Sequence, residues 1–488
     1  MGYESRLVNV ECEISNGLPS MLMVGLAGKS IDEAKERVRS ALVNSGLQLP
    51  KKRITLNLAP ADMPKQGSSY DLPLAIAILS KSKQIPANQS KSFFIGELSL
   101  SGDLRQVPGA LAHTLLARDL GFEQIIVPQS NADEASLVRG VDIKPAKNLK
   151  QIVMHLNSEQ SIEGHAARKY TGKRANHIDY SDIKGQQQAK RAMMIVAAGG
   201  HNIILSGPPG AGKSMLAKAL PSILPPMNDE EIIEVTNMQS ISGYGDGSVV
   251  YDRPVRSPHH TASHVSMIGG GRIPKPGEIS LSHRGILFLD ELPEYPRQVL
   301  ETLRQPLEDS HIDISRAEGR VRYPAQFTLV ATQNPCPCGY YGDKDKQCLC
   351  TPHQINQYSK RISGPLLDRI DLSVKVDRID NSKILQGAEG SGVNNDMSSL
   401  VNLARKNQLA RFGNSTKLNA HMNNREVIKY AKLDEESQKL LDTASKNLKL
   451  SSRSYIKTVK VSRTIADINN TEFIDKLAVA EALAYRFK

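Results

Sequence analysis

The chain has 488 residues, of which 40% are hydrophobic, enough for roughly three packed domains of ~150 residues; this excludes a disordered protein. Lys and Arg outnumber Asp and Glu by 62 to 51, and the net charge of +11 favours a polyanionic partner such as nucleic acid, with scattered, solvated basic charge as the bland alternative that charge alone leaves open. Trp is absent and aromatics make up 5%, which argues against base-stacking modules, and there is no run of about 18 apolar residues and no apolar leader, so a cytoplasmic protein with no membrane partner is expected.

In chain order, residues 1–156 alternate strand-like runs (54–58, 92–95, 124–127) with helical ones (31–44, 72–80, 110–119), which predicts an α/β domain. Residues 157–176 are polar and basic without a period and read as a linker. A second α/β region is expected over 177–376. Its apolar run 202–205 leads into Gly207-Pro208-Pro209-Gly210-Ala211-Gly212-Lys213-Ser214, followed by helical spacing. Strand, glycine-rich loop and helix in that order make a phosphate cradle: backbone N–H groups face the phosphates, Lys213 adds charge, and Ser214 can hold Mg²⁺. The later buried-strand pattern Ile286-Leu-Phe-Leu-Asp290-Glu291 supplies a second Mg²⁺ ligand, Asp290, and a carboxylate, Glu291, to polarise water. A glycine-rich turn alone is often only a turn; the two halves together predict binding and hydrolysis of ATP. Within a C-terminal helical domain expected over 377–488, residues 387–396 read as a flexible Gly-rich loop and the remainder, about 397–488, is helical by pattern.

Five cysteines are present, and Cys336, Cys338, Cys348 and Cys350 fall in one short segment, with donor number and softness suited to Zn²⁺. C-x-C spacing is less usual than C-x-x-C, His353 could replace one ligand, and free thiols in a reducing compartment are the bland alternative. His259, His260 and His264 read as polar residues rather than metal ligands.

Further residues carry a resemblance. The strings Leu56-Asn-Leu-Ala-Pro-Ala-Asp-Met-Pro-Lys65, Pro258-His-His-Thr-Ala-Ser263, Gly277-Glu-Ile-Ser-Leu281 and Asn334-Pro-Cys-Pro-Cys-Gly339 resemble the competence protein ComM (YifB) family over nearly the full length. That resemblance implies a Lon-protease-like α/β N-terminal domain, a magnesium-chelatase-type AAA+ P-loop α/β core and a C-terminal helical lid. It implies a hexameric, ATP-driven DNA helicase that promotes branch migration during natural transformation. Against the family, the chain begins close to its Ser5-Arg-Leu-Val string, so part of the first strand is expected to be missing, as a different start site would leave it.

Carried over residue by residue, the resemblance makes Asn334 the sensor-1 residue, Arg369 in Gly364-Pro-Leu-Leu-Asp-Arg369 the arginine finger offered to a neighbouring subunit, and Arg453 the sensor-2 contact to the γ-phosphate. Without it, Arg369 would be read as pairing with Asp368 or Asp371. Ile183 and Gly185 are expected at the adenine pocket. The span from Lys213 to Asp290 is long for a direct step, so residues about 234–282 resemble a helix-2 insert, and about 311–325 a pre-sensor-1 hairpin with its turn near Glu318-Gly319. Arg272, Arg316 and Arg320 become the candidates for DNA phosphate contact, which would be salt-dependent. In the N-terminal domain Ser69 falls at the Lon nucleophile, but Thr114 stands where the lysine base would be. Threonine cannot take that proton, so the fold is expected without protease activity. The competing readings are a chelatase-type ATPase subunit driving metal insertion or remodelling of a partner, an ATP-dependent protease, and a scaffold.

Overall fold

The computed structural model describes residues 5–25, 29–61, 65, 67–166, 178–271, 274–316, 319–343, 345–378 and 393–486. The expected linker and the expected loop 387–396 lie partly outside them; residues 393–396 of that loop open a helix instead. Two three-stranded sheets organise the N-terminal part. In the first, Arg53–Ala59 lies between Asn9–Ser15, antiparallel to it, and Ser20–Val24, parallel to it. Period-2 alternation along Arg53–Ala59 buries Ile54, Leu56 and Leu58 and faces the residues between them outward. These side chains meet Leu72, Leu74, Ile78 and Leu79 of the helix Asp71–Lys81. Asp71, fully buried, is held by a two-pronged bond from Arg37, Nε to Oδ2 at 2.7 Å and Nη2 to Oδ1 at 3.0 Å. The second sheet is parallel, Ser92–Phe94, Gln124–Pro128 and Asp142–Ala146 in that order. The helix Ala110–Asp119 has the bounds the sequence pattern predicts.

The following part is built on five parallel strands, ordered Val255–Arg256, Ile286–Leu289, Thr328–Gln333, Ile203–Ser206 and Leu372–Lys375. The central strands are apolar on both faces because helices cover both, as parallel sheets require. The segment 234–282, expected as an insertion, contains the edge strand Val255–Arg256, so part of it belongs to the core sheet. A two-residue strand leaves no periodicity to read. The helix Asp229–Ser242 precedes that strand, with a capping box from Asn228 and Glu231 and a left-handed Gly243 at its end. It also ties the two parts together. Gly109 N–H donates to Ser240 Oγ at 2.9 Å, Gln106 Nε2 to the Gly245 carbonyl at 2.8 Å, and Ile233 packs into the N-terminal core.

The C-terminal part is helical, as expected: Val393–Phe412, Asn424–Tyr430, Glu435–Asn447, Ser452–Ile468 and Lys476–Ala484. Asn423, Asp434, Ser451 and Asp475 each cap the helix that follows with a side-chain oxygen. His201, just before the strand Ile203–Ser206, ties this lid to the sheet through a hydrogen bond shared with Thr464 at 2.8 Å, and within the lid Arg463, 2% exposed, gives its guanidinium to Asp467 and to the Thr471 and Glu472 carbonyls.

Candidate active site, split between two ends of one sheet

At the carboxyl end of Ile203–Ser206 the chain turns through Gly207–Gly212 into the helix Lys213–Ala219. Gly210 and Gly212 have φ of +76° and +88°, which a β-carbon would strain, and a β-carbon on Gly207 would lie 2.1 Å from the Val376 carbonyl oxygen. Lys213 is buried beneath the loop. Its Nζ donates to the carbonyls of Gly207 (2.6 Å) and Pro208 (2.9 Å) and to Asn334 Oδ1 (3.1 Å). Burial lowers its pKa, opposed by the negative charge of Asp290 and Glu291. The expected sensor-1 residue is therefore in hydrogen-bond contact with the P-loop lysine.

Ser214 Oγ donates to both oxygens of Asp290, at 3.2 and 3.1 Å, so the two expected Mg²⁺ ligands share one place. Thr332, buried on the adjacent strand, donates to Asp290 Oδ1 and accepts the Glu291 N–H at 3.0 Å. Sequence reading passed over Thr332, since nothing in its own segment marks it. Glu291 sits at φ +53°, a left-handed conformation that costs a non-glycine residue roughly 1–3 kcal/mol and turns the chain sharply at the strand end. A hydroxyl beside a carboxylate is the hard-oxygen pair that Mg²⁺ takes, with its remaining positions left to water and phosphate.

Ile183 and Gly207–Gly212 line one cavity of about 1280 Å³, with Lys184, Gln186, Tyr341 and Arg378. Gly185 lies between two of its lining residues with φ +56°. Gln186, unmarked by any motif, bridges from Nε2 to the Ala211 and Asp377 carbonyls at 3.3 and 2.6 Å.

Arg369 and Arg453 line a second cavity, of about 980 Å³, and neither lines the first. It opens at the other end of the sheet, past Asn202, Phe327 and Asp371, the residues that precede three of the strands. A four-residue strand spans about 13 Å, so one protomer's P-loop and arginines stand a sheet's length apart. Arg453 Nη2 donates to Glu308 Oε1 at 2.8 Å, and Arg369 Nη2 pairs with Glu308 Oε2 while its Nη1 donates to the Pro365 carbonyl at 2.7 Å. Arg369 thus pairs with Glu308, on the helix Arg304–Asp309, and not with Asp368 or Asp371. Asp371 accepts from Asn202 N–H and faces His201 and Lys457.

The strands His311–Arg316 and Gly319–Pro324 pair with Arg316 opposite Gly319 and His311 opposite Pro324, the expected hairpin. Ile312, Ile314, Val321 and Tyr323 turn inward. On the outer face Asp313 accepts from Arg320 Nη2 at 2.9 Å and from Arg322 Nε at 2.9 Å, and the two guanidinia hold its carboxyl well below the usual range. Arg322, not singled out from sequence, shares the face with Arg320. Among the other phosphate candidates, Arg272 lies outside the described residues, as does the side chain of Arg316.

The sulfurs of Cys336, Cys338, Cys348 and Cys350 all lie within 4.8 Å of one another. Measured separations are 3.4 Å (336–338), 3.7 Å (336–348) and 3.6 Å (338–348). Tetrahedral Zn²⁺ with Zn–S bonds near 2.3 Å sets its sulfurs about 3.8 Å apart, so the four fit that ion without His353. The N–H groups of Tyr340 and Leu349 draw the Cys338 thiol down to about 6. The Cys350 N–H favours a Cys348 thiolate too, but burial and the sulfurs of Cys338 and Cys336 outweigh it and push that thiol up to about 12. Four thiolates this close require a cation to be ionised together. His259 and His260 stack at 4.1 Å, and His259 shares a bond with Thr261.

In the N-terminal part Thr114 is fully buried and its hydroxyl donates to the Ala110 carbonyl at 2.8 Å, its one proton spent within its own helix. No helix among the described residues is long and apolar enough to cross a membrane.

Three family models match: magnesium chelatase, subunit ChlI, over residues 179–384; subunit ChlI of Mg-chelatase over 10–131; and magnesium chelatase, subunit ChlI C-terminal, over 393–486. Competence protein ComM of Haemophilus influenzae is 43% identical over 494 residues, spanning 100% of this chain and 96% of its own. YifB of Escherichia coli is 42% identical over 492 residues, spanning 100% and 95%. The magnesium-chelatase 38 kDa subunit of Cereibacter sphaeroides is 26% identical over 174 residues, 32% of this chain and 52% of its own.

Proposed function

The chain belongs to the ComM/YifB family of magnesium-chelatase-like AAA+ proteins, and from that premise we propose that it is a ring-forming, ATP-driven DNA translocase that promotes branch migration of incoming DNA during natural transformation. The observation that carries this reading is the split of the proposed catalytic groups between the two ends of one sheet's strands. Lys213, Ser214, Asp290, Glu291 and Asn334 stand at the carboxyl end, Arg369 and Arg453 at the amino end. They meet on one nucleotide only when a second copy presents its arginine end to the first copy's P-loop. A closed head-to-tail ring, of which a hexamer is the proposed size, meets that requirement for every subunit.

Within such a site Ser214 and Asp290 would hold Mg²⁺, which offsets phosphate charge when bound. Glu291 would orient and deprotonate the attacking water, and Lys213 and Asn334 would stabilise the transferring γ-phosphoryl. The neighbour's Arg369 would add charge where it develops in the transition state, a contribution worth roughly 10³–10⁵ in rate. Arg453, joined to Arg369 through Glu308, acts from the same neighbour. The outward guanidinia of Arg320 and Arg322, with Arg316 and Arg272, are the proposed grip on DNA phosphates. The four cysteines are proposed to bind a structural Zn²⁺, and the N-terminal domain to serve assembly without peptidase activity.

The ATPase rate of the full chain, with and without single-stranded or branched DNA, tests the reading, with Lys213→Ala as control. DNA stimulation of a rate that Lys213→Ala abolishes is expected. An ATPase indifferent to DNA, with no DNA binding at low salt, would favour the chelatase-type alternative.

A further inference from the structure

The four-cysteine loop forms one wall of the nucleotide cavity. From Asn334, bonded to Lys213, the chain runs directly into Cys336 and Cys338. Gly339 then presses on the P-loop: at φ +84° a β-carbon there would lie 2.6 Å from Pro209 Cδ and 2.7 Å from Pro209 Cγ. Pro335, Tyr341, Gly342, Asp343 and Asp345 line the same cavity as Gly207–Gly212. Arg378 locks the two together. Its guanidinium lies 5.4 Å from the Tyr340 ring centre, its Nε 3.6 Å from Asp343, and its Nη2 donates to the Pro209 carbonyl at 3.3 Å. The loop has little apolar material to hold its own shape, since Tyr341 is 56% exposed and Leu349 85% exposed. What ties its two ends together is the sulfur cluster, with Asp343 accepting the N–H groups of Asp345 and Lys346 between them.

We propose that metal bound by these four cysteines is required for tight nucleotide binding, because it fixes the loop that braces the P-loop at Pro209. The inference rests on the reading of the P-loop cavity as an ATP site. Coupling is reciprocal: if zinc strengthens nucleotide binding, nucleotide strengthens zinc binding by the same equilibrium factor.

The test uses the full chain purified with its metal. Zinc content is measured per chain, and the affinity for a fluorescent ATP analogue with Mg²⁺ is measured before stripping, after stripping with a chelator, and after zinc is restored. Stripping is expected to weaken binding by about tenfold, within the usual range of coupling between sites, and zinc to restore it. A second arm uses Gly339→Ala, which keeps all four cysteines: it is expected to hold one zinc per chain yet bind the analogue more weakly. This arm decides the matter should stripping unfold the chain. Unchanged affinity in either arm overturns the coupling and leaves the ATP reading standing. Purified protein without zinc overturns the metal requirement, and zinc-loaded protein that binds no nucleotide sinks both.

Discussion

Thr332 joins the two acidic residues of the site: its hydroxyl donates to Asp290 and accepts the backbone N–H of Glu291. Thr332→Val keeps the volume and removes both bonds, one of them from the part-buried Glu291 N–H, at a cost of about 0.5–1.5 kcal/mol each. The variant is expected to need several-fold more Mg²⁺ for half-maximal ATPase and to turn over about tenfold more slowly at saturating ATP. A Mg²⁺ titration of the steady-state rate checks it, and an unchanged Mg²⁺ requirement would remove Thr332 from the site. The P-loop and Asp290-Glu291 are legible in sequence because phosphate and Mg²⁺ chemistry demand fixed residue types within one short segment. Thr332, Gln186 and Glu308 are not, because each acts on a group far away in the chain that only the fold brings near.

Among the elements, the hairpin carries its meaning in alternation. Ile312, Ile314, Val321 and Tyr323 anchor it to the core, so Asp313, Arg320 and Arg322 share its outer face. Asp313 takes up part of the positive charge that phosphate would meet. If the hairpin tracks DNA, Arg320→Ala and Arg322→Ala should each lower the slope of log affinity against log salt by about one, and Asp313→Asn should tighten binding, irrespective of sequence. Binding isotherms from about 50 to 200 mM salt measure this. Slopes unchanged in both arginine variants would move the DNA path elsewhere. The hairpin and the helix Ala110–Asp119 were readable because their periods run for several residues. The strand Val255–Arg256 was hidden because hydrogen bonding to Ile286–Leu289, not a pattern of its own, makes it a strand.

At the scale of the whole molecule, the fold class and the order of its parts were readable from motifs, whereas the distance between Lys213 and the arginine pair was not. The resemblance assigned Arg453 to a γ-phosphate without naming the subunit; within one chain it stands beside Arg369 and Glu308, at the end of the sheet remote from the P-loop. The central claim is that each nucleotide site is made by two subunits. It is tested most directly by mixing two inactive variants, Lys213→Ala and Arg369→Ala, and measuring DNA-stimulated ATPase. In a randomly mixed ring about one interface in four joins an intact P-loop to an intact Arg369, so activity should reappear on mixing. A mixture as inactive as its components, under conditions where mixed rings are shown to form, would contradict a site shared between neighbours.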